Sequence, residues 1–337
     1  MCDISVIVPC LNEVDYIEKC LISLISYSSC EFSYEIIVVD GGSTDGTLDK
    51  VNCIINEFRI PITLLHNPER FTPKSLNIGI NNSRGNYIAR IDAHAEYPPN
   101  YLVNLLYWAR KLDAENIGVP IDTVPGSKSM VAKVIADVMS SKIGVGASAF
   151  RVATINEPIK VDTVPFGFFK RSIFRAVGFF DEDLIRNQDD EFNARVIKFG
   201  GVIYLIPGDR VKYFSRSTMS KFSKMLFQYG LFKPLVSWKL RRLSTYRQLI
   251  PPLFAAYFII SFFVYVGTSD VFVFVPLVIY FALLIAYSLL KYKFSFAYSS
   301  LFFILVFVGH LSYGVGYING LLRLIFNSQL SNSTDSR

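Results

Sequence analysis

The feature that most constrains this chain is a series of three long apolar runs in its C-terminal third. No Asp, Glu, Lys or Arg occurs in 248–269, in 271–290 or in 294–322. Each run has the roughly 20 residues that an α-helix needs to cross a hydrocarbon layer about 30 Å thick. Buried core helices are the alternative, but three such runs in succession, rich in Phe and Tyr, favour membrane helices. The sequence therefore predicts a membrane domain of three transmembrane helices over 248–326.

The charges beside these runs predict how the chain is oriented. Ten Lys and Arg residues and no Asp or Glu lie between Arg210 and Arg247, and Lys291 and Lys293 separate the second run from the third. Basic loops stay in the cytoplasm, so we expect a multi-pass protein of the cell membrane with its N-terminal part on the cytoplasmic side and a polar tail (327–337) outside.

The basic segment, residues 210–247, also carries Phe, Leu and Trp between its Lys residues. This pattern predicts an amphipathic segment that lies in the membrane interface. Its position beside a span favours anionic lipid as the partner of the positive charge, and the chain's net charge of +6 is then mostly a membrane feature. Nucleic acid is not expected as a partner.

Two features of the third run have more than one interpretation. Gly316 and Gly320 form a GxxxG pair, for which close packing among the three helices of the chain itself is favoured over dimerisation. His310 is an ionisable group inside a span and hence a functional candidate, although a lone His more often packs inward.

Residues 1–209 have the pattern of a soluble α/β domain. The strand-like stretches "ISVIVPC", "YEIIVVD", "ITLLHN" and "NYIARID" alternate with amphipathic helical stretches, and this rhythm predicts a mostly parallel sheet flanked by helices. Ligands of such sheets bind beyond the carboxyl ends of the strands. Three of these ends carry acidic or turn residues (9–13, 40–45 and 92–96), so we expect one site there.

Asp92, His94 and Glu96 alternate immediately after the last of these strands. In extended backbone, residues two apart project to the same side, so Asp92 and His94 would both reach one ion. A carboxylate that shares its cation with substrate phosphates suits Mg²⁺ or Mn²⁺, and the imidazole favours Mn²⁺. A solvated polar loop without a metal is the alternative.

A second acidic cluster, Asp189, Asp190 and Glu191, begins a predicted helix. Carboxylates are favoured at helix N-termini, so a capping role is one interpretation. A general base that removes a proton from a hydroxyl group is the other. Arg195 lies one helical turn after Glu191 and is placed to pair with it.

Together these segments carry a resemblance. The stretches "VIVPCLNE", "IIVVDGGSTDGT", "RIDAHAEYPP" and "NQDDEFNARV" resemble, in order and spacing over about residues 4–200, the motifs of family 2 glycosyltransferases of the GT-A fold. The "DAH" variant, a later "QYG" stretch and the C-terminal spans are most similar to bacterial enzymes of exopolysaccharide synthesis, including the succinoglycan type.

The resemblance implies an inverting transfer of one sugar from a nucleotide-diphosphate sugar, a UDP- or GDP-sugar, with a divalent cation (Mn²⁺ or Mg²⁺) as cofactor. By motif position, the implied roles are nucleotide binding for Pro9, Glu13, Asp40 and Asp92, metal binding for Asp92 and His94, catalysis for Asp189 or Asp190, and an acceptor-side position for Glu96, Glu191 and Gln228.

The chain also departs from the family pattern. Gly41 stands where a second aspartate is usual, and Gln188 stands where the glutamate before the catalytic aspartate is usual, so the base is Asp189 or Asp190. The QxxRW signature of processive synthases is missing, and "QYGLF" from Gln228 stands in its general place, which favours addition of a single sugar.

The basic segment and the spans predict a membrane acceptor such as a polyprenyl-linked sugar, in exopolysaccharide or cell-surface glycan synthesis. Two alternatives stay open at this point. One is a polyprenyl-phosphate sugar synthase, of the kind that makes dolichyl-phosphate mannose. The other is a non-enzymatic membrane transporter or scaffold with a nucleotide-binding domain.

Overall fold

The computed structural model describes residues 2–25, 32–58, 62–146, 148–241 and 246–326. The chain divides into two compact units: unit 1 comprises Met1–Asp122 and Ala149–Phe214, and unit 2 comprises Thr123–Ser148 and Ser215–Arg337. The predicted polar tail at 327–337, together with Arg242 and the side chain of Arg247 in the basic segment, lies outside the described residues.

Within the described residues, unit 1 contains eleven strands and seven helices, and the strand Ile121–Val124 continues for two residues past Asp122, where the first segment of unit 1 ends. The strands are β1 (Ile4–Cys10), β2 (Tyr34–Asp40), β3 (Ile62–His66), β4 (Tyr87–Arg90), β5 (Ala95–Glu96), β6 (Asn116–Gly118), β7 (Ile121–Val124), β8 (Ile159–Lys160), β9 (Phe168–Lys170), β10 (Ile203–Leu205) and β11 (Val211–Phe214). The helices are α1 (Ile17–Ile25), α2 (Thr47–Glu57), α3 (Thr72–Asn81), α4 (Tyr101–Leu112), α7 (Ala149–Val152), α8 (Ser172–Val177) and α9 (Gln188–Lys198). The intervening α5 (Met130–Met139) and α6 (Lys142–Val145) belong to unit 2.

The main sheet has eight strands in the order β3-β2-β1-β4-β9-β6-β10-β8. The four strands predicted from the sequence are its parallel half, β3-β2-β1-β4. The strand β9 is antiparallel to both of its neighbours, β4 and β6, so the sheet is mixed. This confirms the predicted α/β class with a helix-flanked central sheet. A second sheet of three short strands, β5-β11-β7, was not foreseen.

The centre of the main sheet is buried on both faces. Every residue of β1 is buried, as are all residues of β2 after Tyr34, which is why these strands have continuous apolar runs and no alternation. At Gly85, immediately before β4, an added Cβ would lie 2.4 Å from the backbone nitrogen of Ser5, so only glycine allows this close approach.

A buried carboxylate, that of Glu35, lies near the amino-terminal end of the same strands. Glu35 is 4% exposed and accepts hydrogen bonds from Ser5 Oγ (2.7 Å) and from the Arg84 guanidinium (2.9 and 3.1 Å). Burial of the Glu35 carboxyl acts to raise its pKa, but these hydrogen bonds and the charge of Arg84 outweigh burial and lower the pKa. This group lies at the opposite end of the strands from the predicted site.

Unit 2 contains the apolar helices. They are α10 (Met219–Leu240), α11 (Tyr246–Thr268), α12 (Val275–Lys291), which follows a short 3₁₀ turn at Val271–Phe274, and α13 (Phe296–Ile325). Three helical stretches within the described residues are long and apolar enough to cross a membrane: Gln248–Thr268, Val271–Lys291 and Phe296–Ile325. These coincide with the three predicted spans to within a few residues.

The GxxxG pair of α13, Gly316 and Gly320, allows close packing, but not with the apolar helices that the sequence predicted as its partner. A Cβ added at Gly316 would lie 2.2 Å from the carbonyl oxygen of Phe227, and one at Gly320 would lie 2.1 Å from that of Leu231. Phe227 and Leu231 both belong to α10, whose own Gly230 approaches α13 as closely. The preference for internal packing is confirmed, but its partner is the helix of the basic segment rather than another of the three apolar helices.

His310 of α13 also packs inward. Its Nε2 lies 2.9 Å from the carbonyl oxygen of Ile143 in α6, and its Nδ1 lies 3.0 Å from the hydroxyl of Tyr280 in α12. Tyr292 donates a second hydrogen bond from this region, at 2.5 Å, to Asp137 of α5. These contacts connect the segment Thr123–Ser148 to the apolar helices. The two hydrogen-bond partners of His310 support a structural role for this residue.

Candidate active site

Unit 1 brings the three predicted segments to one edge of the main sheet. Cys10, the last residue of β1, lies opposite Asp40, the last residue of β2, and Ile7 of β1 lies opposite Arg90, the last residue of β4. Because these strands are parallel, their carboxyl ends and the loops that follow them meet at the same edge. The loops after β1, β2 and β4 therefore form the candidate site.

The loops after β1 and β2 are joined by hydrogen bonds on consecutive backbone amides. The N–H of Asn12 donates to Ser43 Oγ (2.9 Å), that of Glu13 to Thr47 Oγ1 (2.8 Å) and that of Val14 to a carboxylate oxygen of Asp45 (3.1 Å). Burial acts to raise the pKa of Asp45, but hydrogen bonds from Thr47 and from Val14 lower it. The acidic and hydroxyl residues of "DGGSTDGT" thus fix the backbone that carries Glu13.

Asp40, the predicted partner of the nucleotide base, is 1% exposed. Its carboxylate accepts hydrogen bonds from the N–H of Gly42 (2.8 Å), the N–H of Ser43 (3.0 Å) and the hydroxyl of Ser43 (2.6 Å). Gly42 has a φ of 82°, a left-handed conformation that glycine adopts without strain. The described contacts of Asp40 therefore shape the loop after β2, which borders the site.

The chain after β4 is not the extended segment that the alternation of Asp92 and His94 suggested. A turn occupies Ala93 and His94, and β5 begins only at Ala95. The hydroxyl of Tyr97 holds this turn, because it accepts from the N–H of Asp92 (2.8 Å) and donates to the carbonyl oxygen of Asp92 (3.3 Å). Burial raises the pKa of Tyr97, so its hydroxyl stays protonated at neutral pH.

Arg90 links the two candidate acidic positions. Its side chain is 8% exposed; Nε and Nη2 donate to Oδ1 of Asp92 (3.2 and 3.1 Å), and Nη1 donates to Oδ1 of Asp189. Asp189 is distant in sequence and comes from the first turn of α9. A buried guanidinium needs such partners. The structure thus places the predicted base beside the predicted metal ligand, with a positive charge between them.

His94, the second residue of this turn, contacts Glu13. The Nδ1 atom of His94 is 3.1 Å from Oε1 of Glu13, whose side chain is 4% exposed. The imidazole also packs against the ring of Tyr213, at a centroid distance of 5.4 Å. Asp92 and His94 are therefore each held by a different charged partner, Arg90 and Glu13.

The acidic cluster at the start of α9 separates into different environments. The N-cap residue of α9 is Asn187, in a left-handed conformation, and its side chain makes no capping hydrogen bond to the helix. Glu191 is buried and pairs with Arg195 as predicted, with both bonds at 2.7 Å. Arg195 also donates to the carbonyl oxygens of Val177 and Phe179. Glu191 thus ties α9 to the segment around α8, whereas Asp189 faces Arg90 and Asp190 is half-buried.

The remaining predicted positions have other surroundings. Pro9 is buried in β1 opposite Val39. Glu96 is half-buried and pairs with Lys212 at 2.8 Å. Gln228 is buried in α10 of unit 2.

A metal bound here would take only part of its ligands from the protein. Among the described residues, no group of three or more His, Cys, Asp and Glu side chains is arranged to hold an ion. Asp92 and His94 still fit a Mg²⁺ or Mn²⁺ ion that is shared with substrate phosphates, because such sites use one or two protein ligands and fill the rest with phosphate and water oxygens. The hydrogen bond from His94 to a buried carboxylate is also typical of a ligating histidine.

Two residues of the site were missed in the sequence. The sequence indicated only that Arg90 ends a buried strand and that Tyr97 belongs to a loop marked by prolines. Arg90 offered a signal, because a charged residue inside an otherwise apolar strand end needs a buried partner. Tyr97 offered none, since its role depends on the turn at Ala93–His94.

Comparisons with known proteins show which family the chain is similar to. Residues 5–178 match the family described as "Glycosyl transferase family 2". The chain is 31% identical, over 69% of its length and 73% of the relative's, to the dolichyl N-acetyl-alpha-D-glucosaminyl phosphate 3-beta-D-2,3-diacetamido-2,3-dideoxy-beta-D-glucuronosyltransferase of Methanococcus voltae. It is 29% identical to the succinoglycan biosynthesis protein ExoA of Rhizobium meliloti, over 73% of each chain.

Among solved structures, the fold is similar to that of a mannosyltransferase from Pyrobaculum calidifontis, solved with GDP-Man and Mn²⁺. The two chains superpose with a TM-score of 0.60 and are 18% identical, and the match covers 96% of this chain and 87% of the other. This similarity concerns the three-dimensional fold.

Proposed function

Because the chain belongs to glycosyl transferase family 2, we propose that it moves one sugar, with inversion, from a UDP- or GDP-sugar to a hydroxyl group of a lipid-linked acceptor at the membrane. The observation that carries this proposal is the meeting of Asp92 and Asp189 on the guanidinium of Arg90. The transfer needs two acidic positions, one at the leaving diphosphate and one at the attacking hydroxyl. Unit 1 carries two acidic side chains on separate elements, Asp92 in the loop after β4 and Asp189 in the first turn of α9.

At the donor end, Asp92 and His94 would hold the divalent cation. When bound, the cation neutralises the charge of the departing nucleoside diphosphate. The chain's own part is to fix these two side chains, Asp92 through Arg90 and Tyr97 and His94 through Glu13. The loops after β1 and β2, with Pro9 and Asp40 at their bases, would border the nucleotide.

At the acceptor end, Asp189 would act as general base. The acceptor hydroxyl oxygen forms a bond to the anomeric carbon, the bond from this carbon to the diphosphate oxygen breaks, and the hydroxyl proton passes to the Asp189 carboxylate. General-base help of this kind is typically worth ~10²–10⁴-fold in rate. We favour Asp189 over Asp190 because Asp189 contacts Arg90 in the candidate site. Glu96 remains the acceptor-side candidate, whereas the pairing of Glu191 with Arg195 supports a structural role.

The acceptor is proposed to be a lipid such as a polyprenyl-linked sugar. Three helices can cross a membrane, and the basic segment before them suits anionic headgroups. One relative is named for a dolichyl-linked acceptor and another for succinoglycan biosynthesis, which favours cell-surface glycan synthesis over a transporter or scaffold. We propose the cell membrane as the location, with residues 1–209 as a cytoplasmic catalytic domain.

The experiment is a panel of radiolabelled UDP- and GDP-sugars given to the full chain in lipid bilayers with Mn²⁺ and membrane lipid extract. We expect label from one donor in the lipid phase, and mass spectrometry should show a sugar added to a sugar already on the lipid. A sugar attached directly to a lipid monophosphate would instead identify a polyprenyl-phosphate sugar synthase. No transfer from any donor would contradict the proposal.

A further inference from the structure

The Glu13–His94 contact is more buried than most ion pairs of unit 1, and it lies beside the proposed metal position. Glu13 is 4% exposed and the side chain of His94 is 15% exposed, whereas pairs such as Lys50–Glu18 and Lys212–Glu96 lie at the surface. Burying a carboxylate costs free energy unless hydrogen bonds or a charged partner compensate, so a buried carboxylate is retained for a structural or functional reason. The position of Glu13, beside a proposed metal ligand, indicates such a purpose.

The backbone of Glu13 is held from both sides. Its N–H donates to Thr47 Oγ1 at 2.8 Å, and its carbonyl oxygen accepts from the N–H groups of Tyr16 and Ile17, both at 2.9 Å. Asp45, which accepts from the next amide along, adds a further hydrogen bond between the two loops. The carboxylate of Glu13 is therefore a fixed acceptor and not a mobile surface group.

A fixed acceptor determines which nitrogen of a histidine carries the proton. Oε1 of Glu13 lies 3.1 Å from Nδ1 of His94. Because a carboxylate accepts, this contact selects the Nδ1–H form of a neutral imidazole and leaves the lone pair on Nε2, the other ring nitrogen. The neighbouring ring of Tyr213 limits rotation of the imidazole. Ligating histidines commonly donate their other N–H to a carboxylate, which orients the ring and makes the ligand nitrogen more basic.

We propose that Glu13 is a positioning residue that holds His94 in the Nδ1–H tautomer and directs Nε2 to the divalent cation on the donor diphosphate. This inference rests on the proposed function, because the cation is that of the nucleotide-sugar donor. It changes the role implied by motif position, from a group that borders the nucleotide to one that acts through His94.

The test measures Mn²⁺ affinity by electron paramagnetic resonance, with the full chain in detergent and UDP or GDP as the probe. Outer-sphere partners of this kind are typically worth 10–100-fold in metal affinity, so Glu13→Met should bind Mn²⁺ about 10–100-fold more weakly than wild type. Glu13→Gln keeps an acceptor oxygen and should fall between the two. Glu35→Gln is the matched control, because Glu35 is equally buried but lies at the other end of the strands, and its Mn²⁺ affinity should equal that of wild type.

A second measurement separates positioning from simple structural support. Pulsed resonance spectra of the wild-type Mn²⁺–nucleotide complex should contain the ¹⁴N coupling of a bound imidazole, and Glu13→Met should weaken it. In a His94→Gln background, which has no imidazole to orient, Glu13→Met should leave Mn²⁺ affinity unchanged.

The outcomes distinguish the inference from the function on which it rests. Wild-type Mn²⁺ binding that depends on nucleotide but lacks ¹⁴N coupling, or that is equally tight in Glu13→Met, overturns the inference alone. Absence of nucleotide-dependent Mn²⁺ binding in the wild type, whichever nucleoside diphosphate is used, overturns both.

Discussion

Replacing Gly316 by alanine tests the contact between α13 and α10. The added Cβ would lie 2.2 Å from the carbonyl oxygen of Phe227, and ordinary contact begins at 3.4 Å, so the two helices must separate by 3.4 − 2.2 = 1.2 Å along that line. The obstructing atoms of Phe227 all belong to its backbone, which a rotamer change cannot move. Overpacking of this kind costs about 1–3 kcal/mol, and the better helix propensity of alanine returns up to about 1 kcal/mol.

The net loss should be up to about 2 kcal/mol, which corresponds to a fall in Tm of up to about 8 °C for a domain of this size. Thermal unfolding of the full chain in a fixed detergent, followed by circular dichroism, measures it. Gly267→Ala is the matched control, because nothing lies within 4 Å of its added Cβ. That variant should gain up to about 1 kcal/mol from helix propensity alone.

Two results would refute this reasoning. A Gly316→Ala variant as stable as Gly267→Ala would mean that α10 and α13 do not approach this closely. A variant with unchanged Tm but a smaller oligomer would mean that Gly316 serves contact between chains. Gly230→Ala, from the α10 side, should destabilise in the same direction, because its Cβ would lie 2.1 Å from the carbonyl oxygen of Tyr313.

Further predictions concern unit 1. Arg90→Gln removes the counter-charge between Asp92 and Asp189 and should lower kcat/KM on the order of 10²-fold through lost positioning, with Arg90→Lys less affected; steady-state rates equal to wild type in both would exclude a bridging role. Tyr97→Phe leaves the N–H of Asp92 without its partner and should cost about 1–3 kcal/mol in the free energy of unfolding; an unchanged urea midpoint would count against this contact. Because the folded-state pKa of Glu35 is lowered, its stabilisation is present above the unfolded pKa and is lost as pH falls through the folded pKa. Wild-type Tm should therefore fall more steeply than that of Glu35→Gln in this acidic window, and parallel curves would contradict the pKa shift.

The sequence predicted the parts of the fold that are local or repeat a motif. The four strands follow from short runs of β-branched and apolar residues, and the three apolar helices follow from long uncharged runs; the positions of both agree with the structure. The pairing of Glu191 with Arg195 follows from helical spacing. The order of the strands outside the parallel half could not be predicted from local patterns, because β9 lies between β4 and β6 although it comes from a distant part of the chain.

The site shows the same division. That the ends of β1, β2 and β4 share one edge was predictable, since parallel strands align their carboxyl ends. The contacts that give each acidic residue its role were not predictable. Arg90 contacts Asp189, which is distant in sequence, and His94 contacts Glu13. The prediction that Asp92 and His94 share a metal site assumed extended backbone, whereas the structure has a turn at Ala93–His94. Tertiary contacts, which leave no local pattern, decide these points.

Whether Asp189 takes the proton of the acceptor is decided by a single-turnover comparison of Asp189→Asn with wild type, with Asp190→Asn as the matched neighbour. The donor is preloaded with Mn²⁺, and transfer to the lipid acceptor is followed by the label in the lipid phase. Asp189→Asn should slow transfer ~10²–10⁴-fold while Mn²⁺–nucleotide binding is kept, and Asp190→Asn should stay close to wild type. Equal transfer by Asp189→Asn and wild type would remove Asp189 as the base and contradict the proposed mechanism.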